Sequence, residues 1–168
     1  VLQANGAPPE PERPPWHWVG FGAVAVLASW LVLATIAKAM SDRIVTAKLG
    51  ALDSLEETAA RIAALPEGER WALSAALFGP QMLAVILAGM VGGFLVGRWG
   101  ANTTLREALL AGVATSGIAG LVTCASAGVS AAPLALFVVL PLSCGAGGHA
   151  GIRRRQKLGT ALPGSDTG

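Results

Sequence analysis

Few residues in this chain could do chemistry. The thiols are Cys124 and Cys144, and the histidines are His17 and His149. A thiol becomes a nucleophile when a base or a nearby cation holds it as thiolate. Neither cysteine has such a neighbour within a few residues. The sequence contains no C-x-x-C pair and no His/Cys/Asp/Glu grouping at metal-ligand spacing, so neither a metal nor a cofactor is expected. His149 follows a glycine-rich run and precedes Arg153, which makes it the candidate for a proton gate or relay at the mouth of a membrane span. Its simpler reading is an interfacial side chain, because no carboxylate lies close to it in sequence. Glu107 stands three residues after Thr104, a spacing already explained by a helix capping box. Thr115, Ser116, Thr123 and Ser126 have the polarity of helix-to-helix hydrogen bonds, worth about 0.6 kcal/mol each in a membrane.

The charge pattern is more decisive than any of these residues. From Ala108 to Ile152 there is no Asp, Glu, Lys or Arg. Ion-coupled transporters and proton relays place ionisable residues at mid-depth, and hydrolytic sites need a nucleophile with a base or a metal. The run Gly89–Gly97 is rich in glycine but lacks the strand-to-helix setting of a phosphate loop or dinucleotide site. The expectation is therefore a protein that is not an enzyme and has no nucleic-acid partner.

The elements that hold these residues are membrane spans. Hydrophobic residues make up 53% of the 168 and charged residues 13%, with a mean hydropathy of +0.59. Soluble domains carry about 25% charged residues. Heavy use of Ala, Gly and Arg with no Tyr points to a GC-rich bacterial genome. The fold class expected is all-α: four transmembrane helices at about 16–39, 71–97, 105–124 and 133–150, since some 20 apolar residues cross a hydrocarbon core. Residues 1–15 form a Pro-rich disordered segment, residues 40–70 an outer amphipathic segment, and residues 153–168 a basic then polar tail. The first apolar run is too long for a secretory signal, although Ala37-Lys38-Ala39 imitates a cleavage site. Interface anchors are Trp16, Trp18, Lys38, Arg70, Trp71, Arg98, Trp99, Arg153, Arg154 and Arg155.

Within the outer segment, Leu49, Leu52, Leu55, Ala59, Ile62 and Leu65 recur at helical spacing. Gly50 should break it, Ser54 and Glu57 have capping-box spacing, and Pro66 should end it. Packing of the stripe on the bundle itself is the expected arrangement. Pro80 and Pro141 should kink the second and fourth spans. Gly145, Gly147 and Gly148 should loosen the end of the fourth, and Arg153–Lys157 should stop it.

Two rows of small residues repeat every fourth position, Gly89, Gly93 and Gly97 on the second span and Ala108, Gly112, Ser116 and Gly120 on the third. Such rows let helix backbones approach in lipid. A short turn joins the two spans, so the rows are expected to face each other as a glycine-zipper hairpin. The positive-inside rule puts the Arg153–Lys157 cluster, and hence both termini, on the cytoplasmic side of a cell (inner) membrane. The function expected is a non-enzymatic scaffold or partner-binding subunit, surrounded by membrane lipids, with the 40–70 segment open to a protein partner and the oligomeric state open. The alternative is a subunit of a channel or small-solute transporter, drawn from the two in-span prolines and His149.

Overall fold

The computed structural model describes residues 16–50, 54–100, 105–127 and 131–160. The Pro-rich 1–15 segment, the Thr104 cap and the end of the tail lie outside them. All the described elements are helices: α1 (Trp16–Leu49), α2 (Leu55–Ala64), α3 (Glu67–Trp99), α4 (Leu105–Ala127) and α5 (Ala131–Thr160). Four of them, all but α2, are long and apolar enough to cross a membrane. The core is built from small side chains, including Ala23, Ala37, Ala84, Ala88, Ala108, Ala111, Ser116 and Cys144, closed by Val26, Val96 and Leu140. Large apolar side chains such as Leu31, Leu121, Val122 and Leu142 face outward. That distribution suits lipid. Burying a large apolar side chain gains nothing when the surroundings are equally apolar, so close backbone approach decides which faces pack.

Several helices are longer than their apolar runs. Residues 40–49 are continuous with α1, which ends where Gly50 takes a φ of +82°. There the Gly50 amide donates to the Thr46 carbonyl at 3.1 Å, a left-handed stop suited to glycine. Ser54 caps α2, its hydroxyl accepting from the Glu57 amide at 3.1 Å. α2 ends at Ala64; Leu65, the residue before Pro66, is extended at φ −71° and ψ 149°, as a following proline requires, and Pro66 in turn precedes the first residue of α3. α3 runs unbroken through Pro80, and α5 runs unbroken through Pro141. The glycines of α5 do not loosen it, and the arginines do not stop it. The glycine face of α5, at Gly145, Gly147, Gly148 and Gly151, is held against α3 and α4, and the helix continues to Thr160.

The helices pack around the bundle in the order α1, α3, α5, α4, with α3 and α4 meeting across the diagonal through fewer contacts. The two small-residue rows therefore do not face each other. α5 has come between them. A Cβ placed on Gly93 would overlap the carbonyl of Cys144, one on Gly97 the carbonyl of Gly148, and one on Gly89 would lie 2.8 Å from Ser143 Cβ. On the other side, a Cβ on Gly112 would lie 2.6 Å from Pro141 Cα, and one on Gly148 would overlap Ala108. The hairpin expectation fails because a short turn fixes antiparallel direction only. It leaves the choice of packing face to whichever partner allows the closest approach.

α2 departs from expectation in another way. None of its described residues is buried; Ile62 is half-buried, and Ala59, Ala60, Ala63 and Ala64 are exposed. Of the described stripe residues, Ala59 is exposed and Leu49, Ile62 and Leu65 are half-buried. A side-chain hydrogen bond ties α2 to the end of α1, Arg61 donating to the Leu49 carbonyl at 2.9 Å; within α2 the same side chain pairs with Glu57 at 3.0 Å.

Candidate functional site

The closest contact in the protein is between α3 and α5, and its direction follows from the pairing. Gly89 meets Ser143, Gly93 meets Cys144 and Gly97 meets Gly148, so the numbers rise together and the helices run parallel. The relation is reciprocal. Gly147 lies against the Met90 carbonyl and Gly151 against the Phe94 carbonyl. A glycine carries a second Cα hydrogen where other residues carry Cβ. Here those hydrogens point at carbonyl oxygens of the opposite helix, the geometry of Cα–H···O contacts. The sequence reading missed Gly147, Gly148 and Gly151 as packing residues. The spacing of Gly147 and Gly151 was the signal that could have found them.

α3 carries a second small face. A Cβ on Gly92 would strike Val26 and the Gly22 backbone, and one on Gly22 would lie 2.7 Å from both Val96 and Ala111. The Ser41 hydroxyl donates to the Leu77 carbonyl at 3.1 Å. The pairs 22/96, 26/92 and 41/77 fix an antiparallel register in which Lys38 is level with Pro80. The α3–α5 pairing places the start of α5 at that same level, and the Gly22–Ala111 contact places the end of α4 there. Residues 39–49 of α1 and 67–79 of α3 thus continue past the ends of α4 and α5 by roughly 17 Å, from the helical rise.

This projecting end, with α2 attached, offers a surface. Trp71 is 70% exposed and Phe78 71%, seven residues apart on one side of α3. A groove between the end of α1 and the start of α3 is lined by Ile44, Leu49, Leu65, Ala72, Leu73 and Ala76, with Lys48 and Glu69 among its walls. Arg70 is exposed beside Trp71. Lys38 pairs with Asp42 at 2.8 Å, both exposed.

At the opposite end, Trp16 is exposed and Trp18 half-buried, Trp18 lying edge-on to Phe21. Trp99, Arg153 and Arg154 are exposed there, and Arg155 donates to the Gly100 carbonyl. Arg98 is half-buried. His149 is exposed on the outside of α5 and does not line the interior.

Inside, an apolar cavity of about 230 Å³ lies among α1, α3, α4 and α5, lined by residues including Trp30, Val85, Ala88, Ile118 and Leu136. The polar groups of the interior are turned back on helix backbone. Thr115 donates to the Ala111 carbonyl at 2.9 Å, Ser143 to Val139 at 2.7 Å, and Ser116 to Gly112 at 2.8 Å and Leu136 at 3.0 Å. Gly120 is buried on the same helix. Cys144 is buried and free. No grouping of His, Cys, Asp and Glu suited to a metal occurs among the described residues. No family model, curated protein or solved structure matches the chain.

Proposed function

We propose that the protein is a non-enzymatic membrane scaffold that presents its projecting end to a protein partner. The observation that carries this reading is the exposed pair Trp71 and Phe78 on a helical projection that the register of α1 on α3 holds beyond the ends of α4 and α5. From Trp16 to Lys38 is about 33 Å of helix and from Trp99 to Pro80 about 28 Å, which matches a hydrocarbon core of about 30 Å. On this placement α3 leaves the hydrocarbon core at Pro80, with Phe78 about 3 Å beyond it at headgroup level and Trp71 about 13 Å beyond, where its ring faces water when no partner is bound. Large exposed aromatics in water mark an interaction surface. The carboxylates of the segment, including Glu56, Glu57, Glu67 and Glu69, disfavour an anionic lipid surface and favour a protein. The positive-inside rule puts Arg153, Arg154 and Arg155 in the cytoplasm and the projection on the far side of the membrane. The back-bonded interior hydroxyls and the charge-free walls give the channel reading no support.

The test is site-specific photocrosslinking in the native host. A photoreactive side chain replaces Trp71 or Phe78, and a third is placed at Leu121, 75% exposed on the lipid-facing side of α4. A discrete protein adduct is expected at 71 and 78 and not at 121. It should disappear when the unmodified position of the pair is changed to Glu. Lipid adducts alone at all three positions would refute the reading.

A further inference from the structure

We infer that Arg98 is the centre of a phosphate-binding site at the basic end of the bundle, and that the phosphate belongs to an anionic phospholipid. The starting observation is a guanidinium nitrogen shut off from water with nothing to hold. Arg98 Nη1 is shielded from solvent and has no hydrogen-bond partner. A guanidinium stays protonated under all ordinary conditions, so it cannot relieve this by losing a proton. A charged donor shielded from water without a partner is costly and calls for an acceptor.

The charges of the surroundings favour an anion. Gly151 brings α5 against the end of α3, where a Cβ would lie 2.9 Å from the Arg98 amide nitrogen. One turn on, Arg155 is committed to the Gly100 carbonyl. Gly148 packs on Ala108 and Leu105, which brings the start of α4 to the same place. The end of α3 and the start of α4 are thus both packed against the last turns of the α5 glycine face. Their charges are Arg98, Arg106, Arg153, Arg154, Arg155 and Lys157 against a single carboxylate among the described residues of this end, Glu107.

The rest of Arg98 is half-exposed, so its fork reaches the bundle surface by a change of side-chain rotamer. A phosphate there accepts from both terminal nitrogens at once, the geometry for which arginine is suited. Trp99, 57% exposed, sits next to it with the amphipathic ring of a headgroup-level anchor. A phosphodiester at this depth is a lipid headgroup. Inorganic phosphate is the other source of the same chemistry, and the experiment separates the two.

The test uses the full chain purified in a nonionic detergent. Thermal unfolding followed by circular dichroism is titrated with dioleoylphosphatidylglycerol, dioleoylphosphatidylcholine or inorganic phosphate. Phosphatidylglycerol should raise the midpoint of the wild-type protein most. Arg98→Gln should weaken that response about tenfold, the loss of a charge-assisted pair. Arg154→Gln removes the same charge from an exposed position of α5 and should change it less than about twofold. Equal weakening by both variants would reduce the effect to general charge attraction and overturn the site. So would an Arg98→Gln protein that keeps the full response. An equal response of the wild type to inorganic phosphate, or to phosphatidylcholine, would overturn the anionic-lipid assignment without recourse to any variant.

Discussion

The α3–α5 contact makes a quantitative prediction at Gly93. An alanine there places its methyl inside the Cys144 peptide group, with the carbonyl carbon 2.7 Å and the Cα 2.8 Å away. Ordinary contact lies at 3.4–4 Å, and both obstacles are backbone, so no side chain can swing aside. The two helices must part locally by about 1 Å, a gap that forfeits a quarter to a half of the dispersion energy across it. Overpacking of this kind costs about 1–3 kcal/mol, and each lost Cα–H···O contact about 0.5–1 kcal/mol more. Against this, alanine gains about 0.5–1 kcal/mol over glycine in helix propensity. Gly117→Ala isolates that gain, because nothing lies within 4 Å of its Cβ position. The expected gap between Gly93→Ala and Gly117→Ala is about 2–4 kcal/mol, with the first destabilised and the second unchanged or stabilised. Equilibrium unfolding in mixed micelles, read by helical circular dichroism, measures it. Two variants of equal stability, within about 0.5 kcal/mol, would refute the close parallel packing of α3 on α5.

Disulfide trapping tests the same neighbourhood by geometry. In a background with Cys124 and Cys144 changed to alanine, Gly89→Cys with Ser143→Cys should cross-link under mild oxidation, since the Cβ positions face each other 2.8 Å apart and the local parting that the new Cβ forces brings them to the ~3.5–4.5 Å of a disulfide. Gly89→Cys with Ser116→Cys should not, and a cross-link there would restore the hairpin pairing. Ser54→Ala should raise amide exchange within α2 by about fivefold, the loss of roughly 1 kcal/mol of capping, while leaving global unfolding unchanged because none of the described side chains of α2 is buried. A change in the global transition would show that α2 is integral to the bundle. Asp42→Asn should cost less than about 0.5 kcal/mol, because the Lys38–Asp42 pair is exposed on both sides. A larger loss, measured in the same micelles, would place that pair in a drier setting than the structure gives it.

What the sequence made legible divides along physical lines. Four apolar runs gave four long helices, because satisfying backbone groups within lipid leaves a helix few alternatives. Gly50 and Ser54 were readable as a stop and a cap, since each acts through its own backbone neighbourhood. The row of Gly89, Gly93 and Gly97 was readable as a packing face, but its partner was not. Partner choice depends on which of three other helices can bring a bare backbone alongside, and that is a property of pairs. Gly147, Gly148 and Gly151 look the same in sequence as glycines that fray a helix end. Only the presence of Met90, Phe94 and Ala108 opposite them makes them contacts. Arg98 was readable as an interface anchor. Its unpartnered nitrogen appears only once α5 is laid against the end of α3.

The projecting end follows from the glycine rows rather than from the polar segment that it contains. α3 carries two small faces, Ala84, Ala88 and Gly92 toward α1, and Gly89, Gly93 and Gly97 toward α5. Each face has teeth every fourth residue, so a slip of α3 by any fraction of a turn drives a side chain into a backbone. A slip by a whole turn puts Val85 in the place of Gly89, or Val96 in the place of Gly92, where a side chain meets the neighbouring helix. The register of α1 on α3 is therefore fixed by positions 22, 26, 92 and 96, deep in the bundle. Once fixed there, it obliges residues 39–49 and 67–79 to run on side by side, whatever their own sequence. Ser41 on the Leu77 carbonyl secures the continuation with a single hydrogen bond. Residues of the projection are consequently free of the task of holding the fold. Trp71 and Phe78 can remain exposed at little cost to the bundle, which is the condition under which a surface is available to a partner.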